Sequence, residues 1–132
     1  MTAWRARCRC GAVTASCAGE PIRVSVCHCG NCKRRSGSAF AAQVRFPDDA
    51  VTIEGVTREW SCVAESGSCF VHRFCVVCGV AIAYWIDAMP GVTALPIGLF
   101  DEPGAFPAPE YSVFEARKLD WVEITGDVEH WD

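Results

Sequence analysis

The sequence is organised around one stretch, Val26-Cys27-His28-Cys29-Gly30-Asn31-Cys32-Lys33-Arg34-Arg35-Ser36-Gly37. Its three cysteines have the spacing C-x-C-x-x-C, and three cations follow them directly. Thiolates this close together are typical of a soft-metal site, and zinc is the usual metal in a cytosolic protein. Three ligands leave a tetrahedral zinc one ligand short, which is typical of catalytic sites rather than structural ones. The identity of the fourth ligand therefore separates the two kinds of site.

Two further cysteine pairs lie far apart in the sequence, Cys8-x-Cys10 and Cys75-x-x-Cys78. Neither pair can hold a structural zinc alone, because such a site takes four ligands. Together they supply four thiolates, and a zinc bound between them would join the first strand to a later hairpin and add to the folding free energy. Gly79 follows the second pair and is typical of a tight turn around a metal. The sequence therefore predicts one closed site with four cysteine ligands.

This division leaves the cysteines of the first stretch as a separate set of three. They are Cys27, Cys29 and Cys32. An alternative stays open, in which a fourth protein ligand closes this second site and makes it structural. The candidates for that ligand are Cys17, Cys62, Cys69 and the histidines. Outside such a site, a lone cysteine is typical of a small buried apolar residue.

Three cations, Lys33, Arg34 and Arg35, follow the three-cysteine set. Guanidinium groups bind carboxylates as charge-assisted, bidentate pairs, so Arg34 and Arg35 are candidate substrate-binding residues, and Lys33 is a weaker candidate. The same cations would alternatively balance the charge of the thiolates or form the solvated end of a helix. The formal net charge of −4 does not favour nucleic-acid binding.

The ten cysteines of this 132-residue chain admit two explanations. A secreted disulfide scaffold would need an export signal, and the first residues, Met1-Thr2-Ala3-Trp4, lack the apolar segment of one. Its cysteines would also be scattered rather than grouped. The longest nearly apolar run, residues 74–86, is too short to span a bilayer. We therefore expect a cytoplasmic protein, not associated with a membrane, whose grouped cysteines bind metal.

Alternation of apolar and polar residues predicts short strands along most of the chain, with many turns and almost no helical periodicity. The predicted strands are residues 4–10, 12–17, 22–26, 39–46, 51–54, 57–62, 69–74, 81–86, 92–97 and 111–116. In the first of them, Cys8 and Cys10 would share one face. Residues 33–37 are predicted as a turn or one helical turn, and residues 126–132 as a tail. The sequence thus predicts an all-β fold in a single domain, residues 1–132.

Three motifs in this order resemble a known family. The motifs are Cys8-x-Cys10-Gly11, Cys27-His28-Cys29-x-x-Cys32-x-Arg34-Arg35-x-x-Gly37-Ser38-x-Phe40-Ala41 and Phe74-Cys75-x-x-Cys78-Gly79. They resemble the glutathione-dependent formaldehyde-activating (GFA) family, which includes centromere protein V. The resemblance covers most of the chain, from Cys8 to about Trp121.

The resemblance implies a β-tent fold, in which small antiparallel sheets are held together by a structural zinc. It also implies two zinc ions per chain, one structural and one catalytic. The structural zinc would be bound by Cys8, Cys10, Cys75 and Cys78, and the catalytic zinc by Cys27, Cys29 and Cys32. The implied activity joins glutathione to formaldehyde to give S-hydroxymethylglutathione, and it is classed as a carbon–sulfur lyase for the reverse direction. The implied partners are a small thiol and an aldehyde.

An open zinc position would bind the glutathione sulfur and lower its pKa, so that a thiolate adds to the aldehyde. Alternatively, zinc would polarise the aldehyde oxygen.

Two other functions stay open at this point. A non-catalytic zinc module that binds a partner would be favoured by a fourth protein ligand on the Cys27, Cys29 and Cys32 set. A thiol redox enzyme is less favoured, because its C-x-x-C motif usually lies in a βαβ unit that this chain lacks.

Overall fold

The computed structural model describes residues 2–132, and over these residues the chain forms eleven strands, one α-helix and four short 3₁₀ helices. The strands are β1 (Ala3–Arg7), β2 (Thr14–Ala18), β3 (Arg23–Cys27), β4 (Ala41–Pro47), β5 (Val51–Glu54), β6 (Thr57–Val63), β7 (Cys69–Cys75), β8 (Ala81–Ile86), β9 (Val92–Pro96), β10 (Tyr111–Val113) and β11 (Glu129–His130). The helix, α1, spans Gly30–Ser36. The all-β class expected from the alternating pattern is confirmed.

Three strands form a small antiparallel sheet in the order β1-β2-β5. The middle strand shows the alternation of a half-buried strand, because Ala15 and Cys17 are buried while Ser16 and Ala18 are exposed. The buried face packs against the second sheet and forms one side of the main hydrophobic core.

The second sheet has eight strands in the order β11-β10-β3-β4-β9-β8-β7-β6. Nearly all of its pairing is antiparallel, with Ser25 opposite Gln43 and Cys27 opposite Ala41 where β3 meets β4. The exception is β10, which pairs parallel with both β3 and β11. Strands β3 and β4 therefore lie in the interior of the sheet, with neighbours on both edges.

Both faces of this large sheet are covered around β4. Val44 and Phe46 point to the main core, where they pack with Leu95 of β9 against the small sheet. The residues between them, Gln43 and Arg45, point to the opposite face and are also buried. That opposite face carries the polar side chains that matter for the site described below.

The expectation that Cys8 and Cys10 share one face of a strand is wrong. Strand β1 ends at Arg7, and both cysteines lie in the turn that follows, with Cys8 buried and Cys10 exposed. Alternate residues of an extended strand are about 7 Å apart, so both side chains would have to lean along the strand toward each other for their sulfurs to meet. The turn, with Gly11 at φ 81°, brings them together instead.

The tail expected over residues 126–132 contains the edge strand β11. The Glu129 N–H donates to the Glu110 carbonyl and the Trp131 N–H donates to the Ser112 carbonyl, each at 2.9 Å. These bonds satisfy backbone groups that β10 would otherwise expose at the sheet edge.

The segment predicted as a turn or one helical turn is a helix that begins earlier, at Gly30, and so includes one of the clustered cysteines. Cys29 caps its start, and Gly37, at φ 67°, ends it in the left-handed conformation that glycine adopts without strain. Over residues 2–132 no helix is both long and apolar enough to cross a membrane.

Candidate metal centres and their cavity

Four cysteines from two distant segments of the chain meet in what we call the four-thiol cluster. Cys8 and Cys10 come from the turn after β1, Cys75 is the last residue of β7, and Cys78 lies in the turn between β7 and β8. In that turn, the N–H of Gly79 donates to the carbonyl of Cys75 at 2.9 Å, and Gly79 has a φ of 79°. This is the tight turn that the sequence predicts. The two cysteine pairs therefore join segments 65 residues apart.

The spacing of these sulfurs fits a tetrahedral zinc. The Cys8–Cys10 and Cys10–Cys75 Sγ distances are both 3.7 Å, and all four sulfurs lie within 4.8 Å of one another. Sulfurs placed about 2.3 Å from a zinc at the corners of a tetrahedron would be about 3.8 Å apart. Backbone N–H groups also point at the sulfurs, those of Val13 to Cys8 and Val77 to Cys75 at 3.3 Å each.

A second group, the three-thiol cluster, consists of Cys27, Cys29 and Cys32, whose sulfurs also lie within 4.8 Å of one another. Cys27 ends β3, Cys29 caps α1, and Cys32 lies in its first turn. The Cys29 sulfur accepts a hydrogen bond from the Cys32 backbone N–H at 3.3 Å. All three are buried, and the short chain from strand to helix is what holds them together.

Hydrogen bonds within each cluster shift the pKa values of its cysteines, and the donors that lower a cysteine pKa differ between the two clusters. In the three-thiol cluster, hydrogen bonds donated by Cys27 and Cys32 lower the pKa of Cys29 to about 2. The hydrogen bond that Cys27 donates to Cys29 raises the pKa of Cys27. In the four-thiol cluster, hydrogen bonding from the Val80 backbone N–H lowers the pKa of Cys78 to about 6. Each cluster therefore holds at least one thiol with a lowered pKa among other sulfur donors, a donor set suited to zinc.

No fourth His, Cys, Asp or Glu ligand atom lies within 4.8 Å of all three sulfurs of the three-thiol cluster, among residues 2–132. The candidates Cys17, Cys62 and Cys69 therefore do not close it at this distance. Within the described part of the chain, the four-thiol cluster alone offers a complete tetrahedral set.

The histidine between two of these thiols points elsewhere. His28 is fully buried, its Nε2 lies 2.9 Å from the Ser112 hydroxyl of β10, and burial lowers its pKa. Ser112 in turn interacts with Glu115, which contacts His130 at 2.6 Å. His28 therefore anchors the cysteine loop to the neighbouring strand.

A cavity of about 310 Å³ opens beside the three-thiol cluster and is lined by all three of its cysteines. This volume is at the small end of the range for ligand pockets. Apolar side chains, among them Phe70, Ile86 and Val113, form part of its wall. The other wall is polar, because Ser25, Gln43, Arg45 and Tyr84 lie there. The cavity therefore combines a soft-metal donor set, an apolar wall and a polar wall.

The cations predicted to bind substrate lie near the cavity but do not line it. Arg34 is exposed on α1, while Arg35 is partly buried with its guanidinium carbon 4.6 Å from the centre of the Tyr84 ring. Lys33 donates to the Arg117 carbonyl. The substrate-binding role of Arg34 and Arg35 stays a prediction.

The loop between β6 and β7 reaches across to α1 beside the cavity. Glu65 in that loop accepts a hydrogen bond from the Gly30 N–H at 2.7 Å and pairs with Arg117. A Cβ on Gly30 would lie 2.5 Å from the Glu65 carboxylate, so glycine permits the close approach. Glu65 also lines the cavity, and this contact fixes one side of its mouth.

Sequence reasoning missed the polar wall. Gln43 and Arg45 alternate with Val44 and Phe46 in β4, a pattern that is typical of a strand with one solvated face. Only the position of β4 in the interior of the sheet, under the cavity, shows that its polar residues are buried. No signal in the sequence alone distinguishes this case from an exposed polar face.

The fold and the two clusters define a class, a small all-β protein with two cysteine-rich centres able to hold metal ions. The model of the family described as glutathione-dependent formaldehyde-activating enzyme matches residues 3–117, and the chain belongs to that family. A crystal structure of a Rhodobacter sphaeroides protein superposes with a TM-score of 0.59 at 18% identity, covering 97% of this chain and 99% of that one. That likeness supports the fold. None of the curated proteins compared with the chain matches it.

Proposed function

We propose that this protein is a zinc-dependent carbon–sulfur lyase that forms or cleaves a thiol–aldehyde adduct such as S-hydroxymethylglutathione. Two zinc ions per chain are part of the proposal. The structural zinc is held by Cys8, Cys10, Cys75 and Cys78, and the catalytic zinc by Cys27, Cys29 and Cys32. Membership of the GFA family supports the glutathione and formaldehyde chemistry.

The observation that carries the proposal is the difference in ligand number between the two clusters. The three-thiol cluster has three protein sulfurs in range and faces a cavity, as a catalytic zinc site does. Zinc bound there would supply a Lewis acid that lowers the pKa of a substrate thiol or polarises an aldehyde. A fourth protein ligand would have favoured the alternative, a non-catalytic interaction module, and among residues 2–132 none lies in range.

The chain's own residues contribute binding, orientation and the exclusion of water. The cysteines hold the metal, and the buried contact of His28 with Ser112 keeps the loop between Cys27 and Cys29 in place. Phe70 and Ile86 give the cavity an apolar wall, which limits water around the reacting groups. Arg34 and Arg35, outside the cavity, would receive carboxylates of a substrate that extends beyond it.

The proposal is tested by Cys29→Ser. Loss of a thiolate ligand should remove one of two bound zinc ions and lower the rate of adduct formation by more than about a hundredfold, since disturbing even a ligand's hydrogen-bond partner costs 10–100-fold. Exchange between glutathione, formaldehyde and the adduct is followed by NMR, which separates catalysis from the spontaneous reaction. Zinc content is measured by mass spectrometry, and folding by circular dichroism.

The matched control is Cys69→Ser, an exposed cysteine outside both clusters. It should keep both zinc ions and full activity. Full activity of Cys29→Ser with one zinc lost would contradict the proposed role of the three-thiol cluster.

A further inference from the structure

The polar wall of the cavity contains a buried cation with no acidic partner. Arg45 is 8% exposed, and the ion pairs of the described residues, Arg117–Glu65 and His130–Glu115, do not include it. Its Nη1 donates to the Ser25 hydroxyl at 2.7 Å and its Nη2 donates to the Tyr84 hydroxyl at 3.2 Å. Both of these partners are neutral.

Burying Arg45 with only neutral partners is costly in folding free energy unless a ligand supplies an opposite charge or further hydrogen-bond acceptors. Burying a charge is strongly unfavourable without an opposite charge or a full set of hydrogen bonds. A guanidinium has five N–H donors in a planar fork, a geometry that matches a carboxylate. The two hydroxyls account for only two of those donors on Arg45.

The neighbouring side chain also has an unused polar atom. Gln43 is 1% exposed, and its Nε2 donates to the same Ser25 hydroxyl at 3.1 Å. Its Oε1 is buried without a hydrogen-bond partner among residues 2–132. An unpaired buried acceptor is expensive, and an N–H group of a ligand in the cavity would satisfy it.

The sheet register places these groups close to the thiols. Ser25 and Cys27 are alternate residues of β3, so they share one face at a separation of about 7 Å. Ser25 is paired with Gln43 across to β4, and Cys27 is paired with Ala41. A ligand with its sulfur at the three-thiol cluster can therefore place a group a few bonds away against Arg45 and Gln43.

The charges around the cavity favour an anion. Besides the thiols of the three-thiol cluster, its charged lining residues are Arg23, Arg45 and Glu65. Glu65 is already engaged by the Gly30 N–H and by Arg117, so it does not neutralise Arg45. Outside the three-thiol cluster, the charge of the lining that Glu65 leaves uncompensated is therefore positive, and it lies on Arg23 and Arg45.

We propose that Arg45, with Gln43 and Ser25, forms a subsite that selects thiols carrying a carboxylate and an adjacent N–H group. The inference rests on the proposed function, which brings the sulfur to the three-thiol cluster. It assigns carboxylate recognition inside the cavity to Arg45 and leaves Arg34 and Arg35 for parts of a substrate outside it. Arg45 is thus a specificity-determining residue.

Two probes test the subsite directly. N-Acetylcysteine carries a thiol, an N–H and a carboxylate, and N-acetylcysteinamide differs only in having a neutral amide in place of the carboxylate. Calorimetric titration of the zinc-loaded protein should show that the acid binds about tenfold to a hundredfold more tightly than the amide, as expected for a hydrogen-bonded charge pair. In Arg45→Gln this ratio should fall close to one while the affinity for the amide stays nearly constant.

Arg58→Gln is the matched control, because it makes the same charge change on the exposed strand β6 and should keep the wild-type ratio. Arg45→Lys keeps the charge without the planar fork and should give an intermediate ratio, so it carries the test if Arg45→Gln does not fold. Equal binding of acid and amide by the wild type would overturn the subsite. Equal weakening of both probes by Arg45→Gln would also overturn it, since Arg45 would then only balance the thiolates.

A third probe separates this inference from the proposed function. N-Acetylalanine has the carboxylate and the N–H but no sulfur. If neither thiol binds through its sulfur, yet N-acetylalanine binds in a manner that depends on Arg45, the proposed function fails and the anion subsite stands. If the amide thiol binds well and N-acetylalanine shows no dependence on Arg45, the subsite fails and the thiol site stands.

Discussion

The four-thiol cluster and the three-thiol cluster both consist of cysteines, but the sequence separation between their cysteines is very different. The four-thiol cluster combines two turns 65 residues apart and lies at the edge of the main core, with Cys10 exposed. The three-thiol cluster takes all its sulfurs from residues 27–32, buries them and opens onto a cavity.

The difference separates two uses of a thiolate. A metal held across distant segments links parts of the fold, and its binding free energy becomes folding free energy. A metal held by one local segment links little, so it contributes less to the fold and keeps a coordination position for a ligand. The predictions below test this contrast, beginning with the largest expected effect.

Cys10→Ser should break the four-thiol cluster without itself removing a side chain from the core, because Cys10 is exposed. Structural zinc sites are worth about 10–16 kcal/mol, as much as the entire stability of a typical domain, so we expect one zinc lost and no cooperative unfolding transition. Zinc analysis and thermal unfolding followed by circular dichroism measure both effects. Cys69→Ser, also exposed, should leave both quantities unchanged. A Cys10→Ser protein that unfolds at the wild-type temperature would show that the cluster does not link the fold.

If both clusters hold zinc as proposed, a chelator should remove the two ions at different rates. The three-thiol cluster opens onto a cavity and has three protein ligands in range, so its zinc should leave first, in a phase that accounts for one ion. The zinc of the four-thiol cluster should follow slowly, because its release requires part of the fold to open. An absorbing zinc indicator records both phases. The fast phase should be absent in Cys29→Ser, and release of both ions in one phase would remove the distinction between the clusters.

Cys17, a buried cysteine outside both clusters, provides the baseline for an ordinary thiol. Burial raises its pKa to about 12 from 9.0, so the folded state keeps the proton that the unfolded chain loses at lower pH. Its contribution to stability is therefore fully present below about pH 9 and is lost as the pH rises through about 12.

Cys17→Ala should destabilise the protein by about 1 kcal/mol at neutral pH and should flatten the loss of stability above about pH 9. Urea unfolding of both proteins across this pH window measures the effect. Because Cys17 binds no metal in the proposal, zinc content should not change. An identical alkaline decline in the two proteins would mean that the Cys17 thiol does not control it.

Much of the fold was predictable because strand periodicity is a local property. The alternation in Thr14–Ala18 and the apolar run of Ala81–Ile86 identify β2 and β8 closely. The turn that holds Cys8 and Cys10 was not predicted, since the same residues also alternate like a strand. In the structure β1 ends at Arg7, and the Cys10 sulfur lies 3.7 Å from that of Cys75, a contact made only in the folded chain.

The sequence alone determined which cysteines have neighbours close enough to share a metal, because the reach of a few residues is set by covalent geometry. It also determined the likeness to the GFA family, which the match of the family model to residues 3–117 confirms. Only the tertiary structure decided that Cys8 and Cys10 meet Cys75 and Cys78, and that no distant side chain among residues 2–132 joins the three-thiol cluster within range. It also decided that Arg45 is buried beside that cluster. These outcomes depend on strand order and register, which bring together residues whose separation along the chain says nothing about their distance in space.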